Sequence, residues 1–390
     1  MSQYPTYKLG DVADILDSFR KPINSTERTK RIQGKKENEL YPYYGATGQV
    51  GLIDEYLTDG EYVLVGEDGA PFLEPFKNKS YIIRGKAWVN NHAHIISGKK
   101  GVSCNQYLNY YLNSFDYRDY VNGTTRLKLT QGNLVEIPIP LPPLPTQRLI
   151  VSRIETLFAE LDKAEERLRT AQQQLKTYRQ AVLNHWLTNG SKRWKKVTIG
   201  DIVEKVEYGS SAKSQKTGRV PVLRMGNIQN GRFDWSDLVY SDDDEEIKKY
   251  LLKKDDVLFN RTNSPELVGK TAIYKCEHPA IFAGYLIRLH RKEDLINADF
   301  LNYYLNSDIA KNYGNIVKSD GVNQSNINGQ KLKTYPLFLP SLSEQQRIVE
   351  EIETRLSQAE AAEVRIAEAL QKTESLRQSI LKKAFGGELV

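Results

Sequence analysis

Two stretches of this chain place apolar residues at alternating spacings of four and three. Ile150, Ile154, Leu157, Leu161, Ala164, Leu168, Ala171, Leu175, Tyr178 and Val182 form the first seam. Ile348, Ile352, Leu356, Ala359, Ala362, Ile366, Ala369, Leu376 and Ile380 form a looser second one. That period turns one stripe of an α-helix toward a partner helix. Each stretch predicts a helix of roughly 40 residues, about 60 Å long at 1.5 Å per residue. Pro142, Pro143 and Pro145 suit the entrance of the first, with Thr146 as its N-cap; Ser343 and Gln346 read as a capping box on the second. Asn189-Gly190 and Gly386-Gly387 supply stops. An apolar stripe needs a partner, and the economical one is the other helix. An antiparallel pair would set the domains that precede the helices at opposite ends, related by a pseudo-twofold axis.

The remaining pattern is mixed. "EYVLVGEDG", "SYIIRGKAWVNNHAHII", "DVLFNRTN" and "AIFAGYLIRLH" read as strands, β-branched and aromatic with Gly and Asn breaks. "QYLNYYLNS" and "DFLNYYLNS" read as short amphipathic helices, with Leu108, Tyr111 and Leu112 on one face and the tyrosines in a core. The expected fold class is α+β: two α/β-mixed globular domains joined by two long antiparallel helices forming a coiled-coil spacer, with an internal repeat. The expected division is 1–140 and 191–338 for the mixed domains, 141–190 and 339–390 for proline linkers and long helices.

The repeat is visible directly. "LPPLPTQRLIVSRIET" at Leu141 aligns without gaps to "LPSLSEQQRIVEEIET" at Leu339, and the register carries on to "RQAVL" at Arg179 and "RQSIL" at Arg377. Upstream, "LTQGNLVEIPIPLP" matches "INGQKLKTYPLFLP". Linkers and helices are alike while the mixed domains differ, which suggests one mechanical role and two readout roles.

Charge and composition narrow the function. The chain has 390 residues and net charge +6, mildly basic and not diagnostic by itself. Cys104 and Cys276 are the only cysteines, and no apolar run approaches a membrane span. The expectation is a soluble cytoplasmic protein with no disulfide, no metal site and no membrane role. His92 and His94 are read as packing or polar contacts. Cations crowd one segment: Arg20, Lys21, Arg28, Lys30, Arg31, Lys35 and Lys36. Polar loops add candidates for phosphate and base-edge contact. They are Thr47 and Gln49; Asn90 and Asn91; Thr124, Thr125, Arg126 and Lys128; Lys213, Lys216 and Arg219; Arg261 and Asn263; and Lys318, Asn323, Gln324 and Ser325. Catalytic constellations are not evident. "LPPL" is not the turn that holds an exocyclic amine, and "VGKTA" at Val268 lacks the earlier glycine of a phosphate loop.

These residues resemble the specificity (S) subunits of type I restriction–modification enzymes. The likeness rests on the duplicated linker–helix element, the ending "RQAVL"/"RQSILKKAFGGELV", and "GTTRLKLT" and "NQSNING" just before each linker. It implies two target-recognition domains, each reading half of a split site in double-stranded DNA. It implies helices that act as a spacer and dock two modification (M) subunits, with restriction (R) subunits joining through the complex. S-adenosylmethionine, ATP and Mg belong to those partners, so no cofactor and no catalysis are expected in this chain. The alternatives are a fused stand-alone DNA methyltransferase and a coiled-coil scaffold without a DNA role.

Overall fold

A computed structural model of the chain describes residues 3–390, which form two compact units. One comprises residues 3–170 with Ile366–Val390, the other Ala171–Arg365. Each long helix, Leu144–Thr188 and Leu342–Gly386, is thus divided between them. Among the described residues no helix is long and apolar enough to cross a membrane.

The first unit is built on a six-stranded sheet. Its order is Ala13–Ile15, Ala93–Gly98, Thr58–Gly66, Ser80–Val89, Tyr41–Gly45, Gly48–Ile53. Pairing is antiparallel except where Tyr43 and Tyr44 run parallel to Trp88 and Val89. Strand alternation sends side chains to two faces. Val63, Val65 and Ile96 join one core with Tyr107, Leu108 and Leu112, while Leu64, Ile83 and Ile95 fill another. The second unit repeats the scheme. Val257, Phe259 and Leu289 of its four-stranded sheet meet Phe300, Leu301 and Tyr304; Leu258, Ala272 and Leu286 face the opposite core.

The near-identical helices Asn105–Ser114 and Ala298–Asn306 tie each sheet to its linker. Tyr111 donates its hydroxyl hydrogen bond to the Pro138 carbonyl at 2.6 Å, and Tyr304 does the same to Pro336 at 2.5 Å. Asn113 brackets the Ser80 backbone, accepting from its N–H (3.0 Å) and donating to its carbonyl (2.9 Å). Asn306 brackets Thr271 likewise, at 3.3 and 3.0 Å. A third duplicated device is a fully buried glutamine. Gln147 accepts from the Cys104 N–H (3.1 Å) and donates to the Val102 and Pro142 carbonyls (both 2.8 Å). Gln345 accepts from the Asn297 N–H (2.7 Å) and donates to Leu295 (2.9 Å) and Pro340 (3.0 Å). Each glutamine thereby fixes a long helix to the N-cap of a domain helix.

Within each unit the long helices pack antiparallel. In the first unit Ile150 and Ile154 share a core with Leu381, Ala384 and Phe385. In the second, Val182, Leu183 and Leu187 share one with Ile348, Val349 and Ile352. An arginine fixes the register each time. Arg377 lies over Phe158 (5.2 Å) and bonds Asp162, with Glu165 at 3.7 Å. Arg179 bonds Glu363 at 2.9 Å, with Glu360 at 3.9 Å. Leu157, Leu161, Leu168, Leu175, Leu356, Ile366 and Ile380 are partly buried.

Four details depart from expectation. Tyr178, a seam position by spacing, is 40% exposed, and Arg179 beside it makes the contact to the facing helix. Leu376 is 40% exposed and does not belong to the seam: three-four stepping from buried Thr373 falls on Arg377. Thr146 lies inside the first helical turn, because the helix begins at Leu144. On the second helix the hydroxyl that accepts from the Glu344 N–H belongs to Ser341, since the helix begins at Leu342.

Candidate nucleic-acid interface

The two units present the same loop scaffold. In the first, the strand Thr58–Gly66 runs into Glu67–Ala70, where the Glu67 N–H donates to the His92 carbonyl (2.8 Å) and its carbonyl accepts from Leu129 (2.7 Å). In the second, the Arg261 N–H donates to Tyr285 (3.0 Å) and its carbonyl accepts from Ile327 (2.9 Å). Loop 122–128 and hairpin 319–326 therefore hang from corresponding strand ends. Gly66 permits a close approach there: a Cβ would lie 2.3 Å from the Ala70 Cβ and 3.2 Å from the Ala46 carbonyl oxygen. Thr47 and Gln49 sit on that neighbouring hairpin.

The chemistry on the scaffold differs. The first unit's is ionic. His94, fully buried, contacts Asp17 (2.7 Å) and the Leu129 carbonyl (2.9 Å) through its two ring nitrogens. Arg20 bonds Asp17 (2.9 Å) and Glu67, and Lys128 reaches Glu67 at 3.0 Å. Burial alone raises the Asp17 pKa. The hydrogen bond and charge of His94, the Ile95 N–H and Arg20 outweigh it and hold the carboxyl below its ordinary range. Glu67 is likewise lowered, because Arg20 and Lys128 overcome its desolvation. Above this cluster Asp68 accepts from Arg126 (2.9 Å) and contacts His92 (2.6 Å). Thr124 and Thr125 are exposed; Asn90 is buried, its side-chain Oδ1 accepting from the His92 N–H at 2.8 Å; Asn91 is exposed.

The second unit's loops are amide- and hydroxyl-rich. Arg261 lies over the Tyr208 ring (5.0 Å) and donates from Nε to the Gly284 carbonyl (2.9 Å). Thr262 and Asn263 pair with Asn326 and Ser325. Asn323 and Gln324 are exposed at the hairpin tip; Ser325 is fully buried, its hydroxyl donating to Asp320. Lys318 donates to the Pro265 carbonyl at 3.3 Å. Beneath, Glu207 is held below its usual pKa, since His290 and Arg288 outweigh its burial.

The basic segment is only partly free. Helix Ser25–Ile32 is capped by Asn24, whose side chain accepts from the Glu27 N–H at 2.8 Å. Arg31 bonds Asp54 (2.6 Å) and Glu55 (2.8 Å), and Lys35 bonds Asp54 (2.7 Å). Arg28 stacks on Tyr43 at 4.7 Å and Lys21 lies 6.0 Å from Trp88. Lys30 and Lys36 are exposed, as are Lys213 and Lys216; Arg219 pairs with Asp244 at 2.6 Å. Tyr208, Tyr285 and Val322, all exposed beside the second unit's loops, were not among the sequence candidates. Large apolar residues flanked by turn residues were the available signal.

Comparison with known proteins adds the family. The profile described as "Type I restriction modification DNA specificity domain" matches residues 1–170 and 191–371. A Haemophilus influenzae protein named as a type I restriction enzyme specificity subunit is 28% identical over 354 residues, 87% of this chain and 84% of its own. The EcoKI specificity subunit of Escherichia coli K12 is 32% identical over 271 residues, 65% of this chain and 58% of its own. This chain thus spans under three fifths of that relative. Two solved structures share the fold. One is a chain from a type I R-M system (TM-score 0.73, 17% identity, 99% of this chain and 98% of that one). The other is the HsdS subunit from Thermoanaerobacter tengcongensis (0.57, 17%, 99% and 97%).

Proposed function

Because the chain belongs to the type I restriction–modification DNA specificity family, we propose that its units read two different words of one split double-stranded DNA site. The observation that carries this is the duplicated scaffold with unlike chemistry. Corresponding strand ends hold Glu67 and Asp68 in one unit, Arg261 and Thr262 in the other. A shared framework with exchanged polar groups is what two sequence readers require. The duplicated helices serve as the spacer and as equivalent docking surfaces for two modification subunits, with restriction subunits joining through them. The chain itself contributes recognition and no catalysis; S-adenosylmethionine, ATP and Mg act on the partners.

The test is co-expression with the modification subunit, followed by mapping modified adenines across a genome. A two-part motif with a fixed unread gap is the expected result. Modification by the purified chain with S-adenosylmethionine alone would instead mark a fused methyltransferase. The absence of any salt-dependent shift of DNA, with or without the partner, would leave a scaffold.

A further inference from the structure

Resting on that reading, we propose that the hairpin Ser319–Asn326 is a base-reading ribbon, and that the pair under its tip is A·T. Val322 stands at the tip with its side chain wholly in solvent, at 101% relative exposure. Beside it Asn323 and Gln324 are exposed, and their side-chain amides make no hydrogen bond among the described residues. An apolar group flanked by two unused amides has no internal reason for that arrangement.

The base of the hairpin is fixed by contrast. Asn326 Nδ2 donates to Thr262 Oγ1 (2.8 Å), and Lys331 Nζ donates to Ser319 Oγ (2.6 Å). Ser325 donates to Asp320, and the turn closes through the Gly321 N–H to the Gln324 carbonyl (2.7 Å). Contact therefore orders three tip side chains on a ribbon that is already shaped, which keeps the entropic cost low.

The tip chemistry selects the base pair. A two-stranded ribbon fits the major groove, where an Asn or Gln amide matches adenine N6 and N7 and an apolar group meets the thymine methyl. Guanine is read by a guanidinium or ammonium and cytosine by a free carboxylate. Residues 321–324 carry neither, and Asp320 is engaged by Ser325 and faces Lys318 at 3.8 Å. The corresponding turn of the first unit carries Thr124 and Thr125, with Arg126 bonded to Asp68, so the two tips ask for different pairs.

The experiment uses the full chain co-expressed with its modification subunit. Modified sites are mapped for the parent, for Val322→Ala, and for the double variant Asn323→Ala, Gln324→Ala. Discrimination at one A·T position of one word should fall roughly tenfold to hundredfold, with the other word, the gap and the yield of complex unchanged. An unaltered motif in both variants overturns the proposal, and so does relaxation at a G·C pair. Loss of the co-purifying subunit makes the tip a protein contact and also overturns it. If the parent yields no two-part motif, the reading beneath it falls as well; a normal parent motif with unresponsive variants sinks the hairpin alone.

Discussion

At the scale of single residues, the paired glutamines are the sharpest test of what holds each unit together. Gln147→Ala leaves the buried Pro142 carbonyl and the partly buried Cys104 N–H and Val102 carbonyl without their partner. Orphaned buried groups cost about 1–3 kcal/mol each, partly relieved by relaxation, so a loss of about 2–3 kcal/mol is expected. Hydrogen exchange should report lost protection at Cys104, and at Asn297 for Gln345→Ala. The ionic cluster gives a pH prediction. Asp17 and Glu67 are depressed in the folded chain. Their contribution is complete above the ordinary carboxylate value of about 4 and drains away as pH falls through the lower folded values. Urea midpoints should therefore drop steeply below about pH 4, and Asp17→Asn should flatten that drop while lowering stability at neutral pH. The candidate loops were legible in part. Asn323 and Gln324 declare themselves by composition. Arg20 does not: Asp17 stands three positions before it, but the fold also brings Glu67 to it from 47 positions away.

Elements were read better than residues, and the reason is periodicity. A seam sustained for about nine turns survives local exceptions, so both helices follow from pattern; their antiparallel packing within each unit follows from each helix coming after its own domain. The exceptions are instructive: Tyr178 and Leu376 look like seam residues, and the arginine after each holds the place, Arg179 by meeting Glu363 and Arg377 because its guanidinium covers Phe158 and meets Asp162. Leu376→Ser should then change stability by no more than about 0.5 kcal/mol. Ile352→Ala, inside the core, should cost about 2–5 kcal/mol. Equilibrium denaturation of both variants decides between the two assignments. The glutamine pins escaped the pattern altogether, since a buried polar side chain looks in sequence like any surface one until its two distant partners are known.

For the whole molecule, the spacing of the two words should follow the length of the paired helices. A matched heptad inserted in both adds about 10 Å of rise, equivalent to about three base pairs. Methylation assays on DNA with graded gaps should show the preferred gap lengthen while the words stay the same. A heptad in one helix alone should disturb the arginine–carboxylate registers and give weaker modification at every gap. One feature of the packing bears on how the chain is made. Leu381, Ala384 and Phe385 complete the core that contains Ile150 and Ile154. During synthesis the opening portion of the polypeptide must wait, with an apolar flank uncovered, until some two hundred later residues have left the ribosome. The part translated first is therefore the last to close, and that interval is when chaperones have most to shield.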